Sequence, residues 1–523
     1  MTKNKADQYN KACEVVNNFA KCKSKHPEPQ KVILECGEGR GSRTFTSTNY
    51  MPFQIARVRV DTTCLNKSKV LIKFSSLVKA EPTALGIIRL EYELFRSCNG
   101  RKPLSLGTWI FEKDTRILLA INSIEESFNF IFCEYQPCSD CCDYFVTVSP
   151  IEITGAGSVA TVSNGRIAAL TQSLCDYKSN KFSKDALKHK DFESEKIVMV
   201  CGNGTGVNQA LISNPSDIQI PISLANVTID TSCLSRSKVL VEFSSIVKTS
   251  FQSFRKILLQ FELLRVCGGS EPISCGVWRF EEDNTAIITT EQKERGFSFI
   301  FCESLNTSEC CSYFVEVTPL EISKGEGLTA WGIYNTQINA YVQPLKNDCI
   351  QYCDYNKIED EGNCAICNPV HSKPKKILLE CGYSNGSKTF TSPSDASFQL
   401  AHVSIDTTSL CKPMVNIQFS SILSIASESQ VGASVVQLRY ELFRSIDGGT
   451  PISIALWTVD RVRLLLDRTT ETFDFTYCDL AVCPGCCDYF VTVRPVELYL
   501  TTNFAYAITT VSNGRMAALA QEG

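Results

Sequence analysis

Cysteine is the reactive residue that this sequence offers in quantity: 27 of its 523 residues carry a thiol. Five positions recur three times, as Cys36, Cys64, Cys133, Cys141 and Cys142, then Cys201, Cys233, Cys302, Cys310 and Cys311, and again Cys381, Cys411, Cys478, Cys486 and Cys487. Thiols at this density make disulfides or bind a thiophilic metal. The vicinal pairs, such as Cys141 with Cys142, open what reads as a strand, where neighbouring side chains point to opposite faces. One member then pairs inward and the other outward, because a bond between the two would demand a distorted turn. The recurrent cysteines either staple their own domain or join neighbouring molecules through the outward members and through Cys13, Cys22 and Cys175. An odd five per copy favours joining. Cys349, Cys353, Cys364 and Cys367 form a C-x3-C-x10-C-x2-C arrangement whose four sulfurs tetrahedral zinc would accept, although only its second half has the familiar spacing.

Other chemistry is thinly provided. The four histidines, His26, His189, His371 and His402, leave few candidates for the commonest general base. A Cys–His nucleophile needs a histidine that recurs with its cysteine, and His402 is matched in the other copies by Arg57 and Asn226. The openings C-G-E-G-R-G and C-G-N-G-T-G lack the lysine and serine of a phosphate loop, so Gly37, Gly39 and Gly41 read as turn residues. Recurring carboxylates have structural readings as well. Asp61, Asp230 and Asp406 suit turn caps, and Glu93, Glu262 and Glu441 suit cross-strand pairing with Arg96, Arg265 and Arg444. The expectation is a non-enzyme without a cofactor.

These residues sit in a long internal repeat. The openings KVILECG, KIVMVCG and KILLECG are followed in each copy by D-T-[TS], by F-S-S, by E-L-[FL]-R and by a tryptophan, Trp109, Trp278 or Trp457. The reading divides the chain into a cysteine-bearing leader, 1–30, three repeats at 31–172, 196–343 and 376–523, and connectors at 173–195 and 344–375. Short apolar stretches rich in Val, Ile, Phe and Tyr alternate with polar residues, and no long 3.6-residue period intervenes. In the first copy strands are expected at about 31–36, 53–62, 69–78, 86–97, 105–112, 127–135, 143–153 and 159–170. Leu90, Tyr92 and Leu94 fall on one face of such a strand while Glu91 and Glu93 fall on the other. Eight strands without crossover helices imply all-β architecture: three tandem antiparallel β-sandwich domains of jelly-roll or related Greek-key type. The tryptophans read as core anchors. Beads joined by polar connectors imply an elongated molecule.

With 52 basic and 56 acidic residues and a net charge of −4, no nucleic-acid surface is indicated. No run of apolar residues is long enough to span a membrane, and residues 1–29 lack the apolar stretch of a signal peptide. A cysteine-rich chain without an export signal fits synthesis in the cytoplasm and later exposure to oxygen.

The signature K-[IV]-[ILV]-x-[EV]-C-G with D-T-[TS], F-S-S and F-C-x7-C-C-x-Y-F-V-x-V-x-P resembles a family of uncharacterised cysteine-rich domains associated with spore-forming clostridia. More loosely, a cysteine-bearing connector followed by a jelly roll is similar to the endospore appendage subunits of bacilli, which polymerise by strand addition and intermolecular disulfides. The resemblance implies a spore-surface structural subunit whose partners are further copies of itself and other spore-surface proteins, with Cys13 and Cys22 as connector cysteines and the vicinal pairs as acceptors. Two other expectations stand beside it: an adhesin or carbohydrate-binding array, which would expose aromatic clusters on loops, and a zinc-binding thiol protein.

Overall fold

The computed structural model describes residues 32–62, 68–83, 86–115, 123–136, 141–173, 197–211, 220–231, 236–252, 255–284, 290–322, 330–344, 377–410, 412–427, 433–464, 467–480, 482, 484–500 and 507–522. It is all-β, and each repeat folds in the same way. Repeat 1 consists of β1 (Val32–Cys36), β2 (Glu38–Gly39), β3 (Arg43–Phe45), β4 (Phe53–Asp61), β5 (Ser68–Glu81), β6 (Ile87–Cys98), β7 (Leu104–Thr115), β8 (Ile124–Gln136), β9 (Cys141–Ile153) and β10 (Val159–Ser173). One sheet runs β1-β10-β5-β8 with β3 beside β10, and the other runs β2-β4-β9-β6-β7. Setting aside the short β2 and β3, this is the two-sheet, four-plus-four order of a jelly roll.

Alternation builds each core. Along β9 every second residue from Cys142 to Pro150 is buried and the intervening ones are not, as a sheet with one face inward requires. Trp109, Trp278 and Trp457 are buried and stack on Phe130, Phe299 and Phe475 with ring centroids 3.8, 3.8 and 3.7 Å apart. The opening glycines serve backbone geometry. Gly41 has φ +84°, and a Cβ on Gly37 would stand 2.5 Å from the Arg57 carbonyl oxygen, so neither position tolerates a side chain without adjustment. Asp406 caps its turn, its Oδ1 accepting from the Thr408 backbone N–H at 3.0 Å.

The glutamate–arginine expectation fails, because Glu93 and Arg96 are an odd number of residues apart and a strand turns them to opposite faces. Arg96 shares its face with Tyr92 and Leu94 and crosses to Glu134 of the facing sheet, with Nη1 2.8 Å from Oε2. Arg444 meets Asp479 likewise at 2.7 Å, and Arg265 pairs with Glu303. Tyr144, Tyr313 and Tyr489 of the C-C-x-Y-F motif donate to the same three carboxylates.

The expected string of beads is also corrected, since the repeats close into a ring. The free edge of β8 pairs with Ile273–Asn284 of repeat 2, the β8 counterpart of repeat 2 (Thr290–Leu305) pairs with Ile452–Leu464 of repeat 3, and that of repeat 3 (Asp467–Asp479) returns to β7. Three ten-stranded sheets result, each shared by two repeats. Besides one hydrophobic cluster per sandwich, a fourth gathers Leu34, Leu170, Met199, Tyr341, Leu379 and Leu519 from all three repeats. The reason is edge chemistry: an open jelly-roll sheet leaves unpaired N–H and C=O groups, and here neighbouring repeats satisfy them.

The β1 edge is closed by side chains. Gln343, near the end of repeat 2, accepts from the Leu34 N–H at 2.7 Å and donates to the Val32 carbonyl at 3.1 Å. Gln521 treats Met199 and Ile197 of repeat 2 in the same way, and Gln172 treats Leu379 and Ile377 of repeat 3. Replacing Gln343 with Ala strands a buried donor and acceptor, so Gln343→Ala should lower stability by about 1–3 kcal/mol, measured as a shift of the urea midpoint at unchanged slope with disulfides intact.

Candidate functional site: the sulfur-sealed axis between repeats

The three repeats meet around a pseudo-threefold axis, and the recurrent cysteines are placed there by β1 and β8. Cys36 is bonded to Cys302, Cys201 to Cys478 and Cys381 to Cys133, with Cα atoms 5.7, 6.2 and 5.8 Å apart. Each bond runs from the first recurrent cysteine of one repeat to the third of another, so three bonds form a cyclic seal. These cysteines neither staple their own sandwich nor reach another molecule; they join repeats. In the chain-entropy account, bridges closing loops of 248 to 277 residues each contribute roughly 5 kcal/mol when taken singly.

A second class lies inside single sandwiches. Cys142 is bonded to Cys98 and Cys311 to Cys267, directly opposite on paired strands with Cα atoms 4.0 and 4.1 Å apart. In repeat 3 the position opposite Cys487 is Ile446. Cys487 is accordingly a buried free thiol, pushed up to about 12 by burial. The vicinal members do diverge as strand geometry requires: Cys142 is buried, whereas Cys141 is half-buried and free, its sulfur accepting from Arg59 Nε at 3.0 Å. Its counterparts Cys310 and Cys486 are disulfide-bonded. Cys275 is a further half-buried free thiol, held near 11 by burial. Of the remaining candidates, Cys13, Cys22, Cys64, Cys175, Cys233 and Cys411 lie outside the described residues, as do the zinc candidates Cys349, Cys353, Cys364 and Cys367.

The F-S-S motif acquires a role that its spacing did not disclose. The first serine accepts a backbone N–H from another repeat: Ser75 from Ile300 at 3.3 Å, Ser244 from Thr476 at 3.2 Å and Ser420 from Ile131 at 3.2 Å. The second serine turns back into its own repeat, Ser245 donating to the Phe297 carbonyl at 3.1 Å. The signal available in the sequence was recurrence of two adjacent hydroxyls inside an apolar strand, which requires buried partners.

Charge fills the axis unequally. Lys73 pairs with Glu242, both 3% exposed as side chains, and burial lowers the lysine. Glu126, Arg295 and Glu471, equivalent positions in the three repeats, form one buried network that also takes in Glu282 and Arg461. Lys293 and Arg295 hold Glu282 well below the usual carboxylate range against its burial.

A single-chain trimer of jelly rolls, closed by shared sheets and a ring of disulfides, is the class of protein that this geometry defines. The profile described as "Domain of unknown function (DUF4489)" matches residues 30–172, 195–342 and 375–521, and the chain belongs to that family. No curated protein matches the sequence. Among solved structures it is similar to PNGF-II (10% identity over 83% of this chain and 100% of that one, TM-score 0.17). It is also similar to the CBM22-1–CBM22-2 tandem of Paenibacillus barcinonensis Xyn10C (9%, 60% and 99%, TM-score 0.15). A third is the VP2 subviral particle of infectious bursal disease virus (8%, 64% and 78%, TM-score 0.18). At these TM-scores the likenesses carry no argument about function. The disulfides suggest an oxidising, extracellular setting, and no described helix is long and apolar enough to cross a membrane.

Two tests follow from the site. A non-reduced proteolytic digest should yield peptides joined through Cys36–Cys302, Cys133–Cys381 and Cys201–Cys478, identified by mass spectrometry and lost on reduction. The seam between repeats 2 and 3 supplies a pH test. Burial beside Glu294 pushes the Asp460 carboxyl up to about 6, against the pull of Arg461 and Lys248. A carboxyl raised in the folded state favours the protonated protein, so its contribution is present at low pH and is lost as pH rises from about 4 through 6. The stability of Asp460→Asn relative to the parent should therefore increase over that interval, as read from urea midpoints at pH 4 and pH 7.

Proposed function

We propose that this chain is a non-catalytic structural subunit of an extracellular, disulfide-stabilised fibre or coat on the spore surface, assembled from copies of itself. The observation that carries the reading is the ring of three bonds between repeats, which makes a closed, covalently fixed block out of one polypeptide. The residues shared by all three copies support it. The tryptophans, the paired serines, the motif tyrosines and the terminal glutamines are engaged in cores and seams, where they build a scaffold rather than a surface for turnover.

The edges of β7 and β8 and their counterparts are already paired within the chain, and the β1 edges are capped. Strand addition through those edges operates between repeats, and in this proposal assembly between molecules is made covalent by sulfur. Cys141, turned outward, is the described thiol best placed for it, with Cys13, Cys22 and Cys175 of the leader and first connector beside it in this proposal. Trp109, Trp278 and Trp457 are buried and offer no stacking platform for a sugar.

The test is aerobic oxidation of the purified full chain, followed by gels with and without reductant and by negative-stain imaging. A ladder and regular particles that collapse to one band on reduction are expected, with loss of the ladder when Cys13, Cys22 and Cys141 are replaced by Ser. A monomer that remains single in air, or one retained by polysaccharide without oligomerising, overturns the proposal. Immunolabelling of spores of the source organism tests the location.

A further inference from the structure

The axis holds a cavity of about 40 Å³ between the three repeats, enough for one or two occupants the size of water. Two layers of equivalent positions line it: Lys73, Glu242 and Gln418, and Asn129, Ser298 and Asp474. The amide and hydroxyl donors Asn129 Nδ2, Ser298 Oγ and Gln418 Nε2 are already committed. Asn129 Nδ2 donates to the Ser298 carbonyl at 3.1 Å and to Ser298 Oγ at 2.8 Å, and Ser298 Oγ donates to Asp474. Gln418 Nε2 faces Glu242 Oε2 and Tyr341 Oη, each at 3.0 Å. Two side-chain acceptors are left over. Asn129 Oδ1 and Gln418 Oε1 have no protein partner, on side chains of residues 5% and 2% exposed.

Charge points the same way. Lys73 is spent on Glu242. Asp474 accepts from neutral groups, and among the described residues no lysine or arginine is paired with it. Burial next to Glu242 pushes its carboxyl up to about 6, which is the response of a carboxylate lacking a counter-charge. One unbalanced negative charge and two orphaned carbonyl oxygens call for a positive occupant with a single charge. Oxygen-only ligation selects a hard cation over a thiophilic one.

We propose that the axial cavity binds a monovalent alkali cation through the Asp474 carboxylate and the side-chain carbonyl oxygens of Asn129 and Gln418. The cation then acts as a bridge among all three repeats, since Asn129 belongs to repeat 1 and Asp474 and Gln418 to repeat 3, with Ser298 of repeat 2 hydrogen-bonded to both Asn129 and Asp474. This stands apart from any role of the chain in an assembly.

The test uses the full, oxidised chain at pH 8 in sodium, potassium or choline chloride at equal ionic strength. The urea midpoint should rise with the logarithm of sodium or potassium concentration and stay flat in choline, because a ligand bound only by the folded state stabilises it by mass action. Asp474→Asn should lose that response and exceed the parent in choline. Asp474→Ser, which installs the residue repeat 2 carries at the equivalent position, is the second variant should the first not fold. Crystals soaked in rubidium chloride should show an anomalous peak on the axis beside Asp474. Equal midpoints in all three salts, a variant that responds like its parent, or rubidium-free density at the cavity overturns the proposal.

Discussion

The constraint on which this molecule depends is that a jelly roll with open edges must find partners for its backbone. Each repeat presents the edge strands β7 and β8, or their counterparts, to a different neighbour, and three such junctions close on themselves. Closure explains why the junctions can be short, with only two residue pairs at two of them. The glutamine clamps, the first serines of F-S-S and the three disulfides supplement the ladder at other heights along the axis. Because no repeat can leave without breaking two seams, modest interfaces add up to a firm block.

A symmetric trimer of identical domains would bring like side chains together on its axis. Fusion into one chain removes that restriction, and the sequence uses the freedom. Three copies of Glu126 or of Lys73 around one point would be buried like charges, whereas the Glu126–Arg295–Glu471 and Lys73–Glu242–Gln418 sets place opposite or neutral partners together. Breaking such buried pairs is costly even where forming them is nearly neutral, so the charges specify which repeat sits beside which. Cys487 shows the same divergence in a minor key: Ile446 replaces its partner, and burial in the sandwich tolerates the loose thiol.

For function, the distribution of sulfur matters more than its amount. Among the described residues, one class of bond closes the ring, another pins neighbouring strands inside repeats 1 and 2, Cys310 and Cys486 are bonded besides, and Cys141, Cys275 and Cys487 remain unbonded. A chain organised in this way is suited to persistence under oxidising conditions, where covalent bonds hold the folded arrangement against local opening.

Much was legible before any fold was known. The period-two alternation of Leu90, Tyr92 and Leu94, the threefold recurrence of motifs and the aromatic character of Trp109 and its counterparts dictate strands, three sandwiches and buried indoles, because local side-chain alternation decides which face a strand buries. The divergence of Cys141 from Cys142 follows from the same rule. What joined the sandwiches was settled only in three dimensions. Cys36 and Cys302 are 266 residues apart, and nothing in local patterning says that the third cysteine of one copy meets the first of another. The beads became a ring for the same reason. Strand propensity is encoded within each repeat, but the pairing of edges, the hydroxyl of Ser75 reaching Ile300 and the neutralisation of Glu126 by Arg295 depend on contacts that exist only once three folded domains have met.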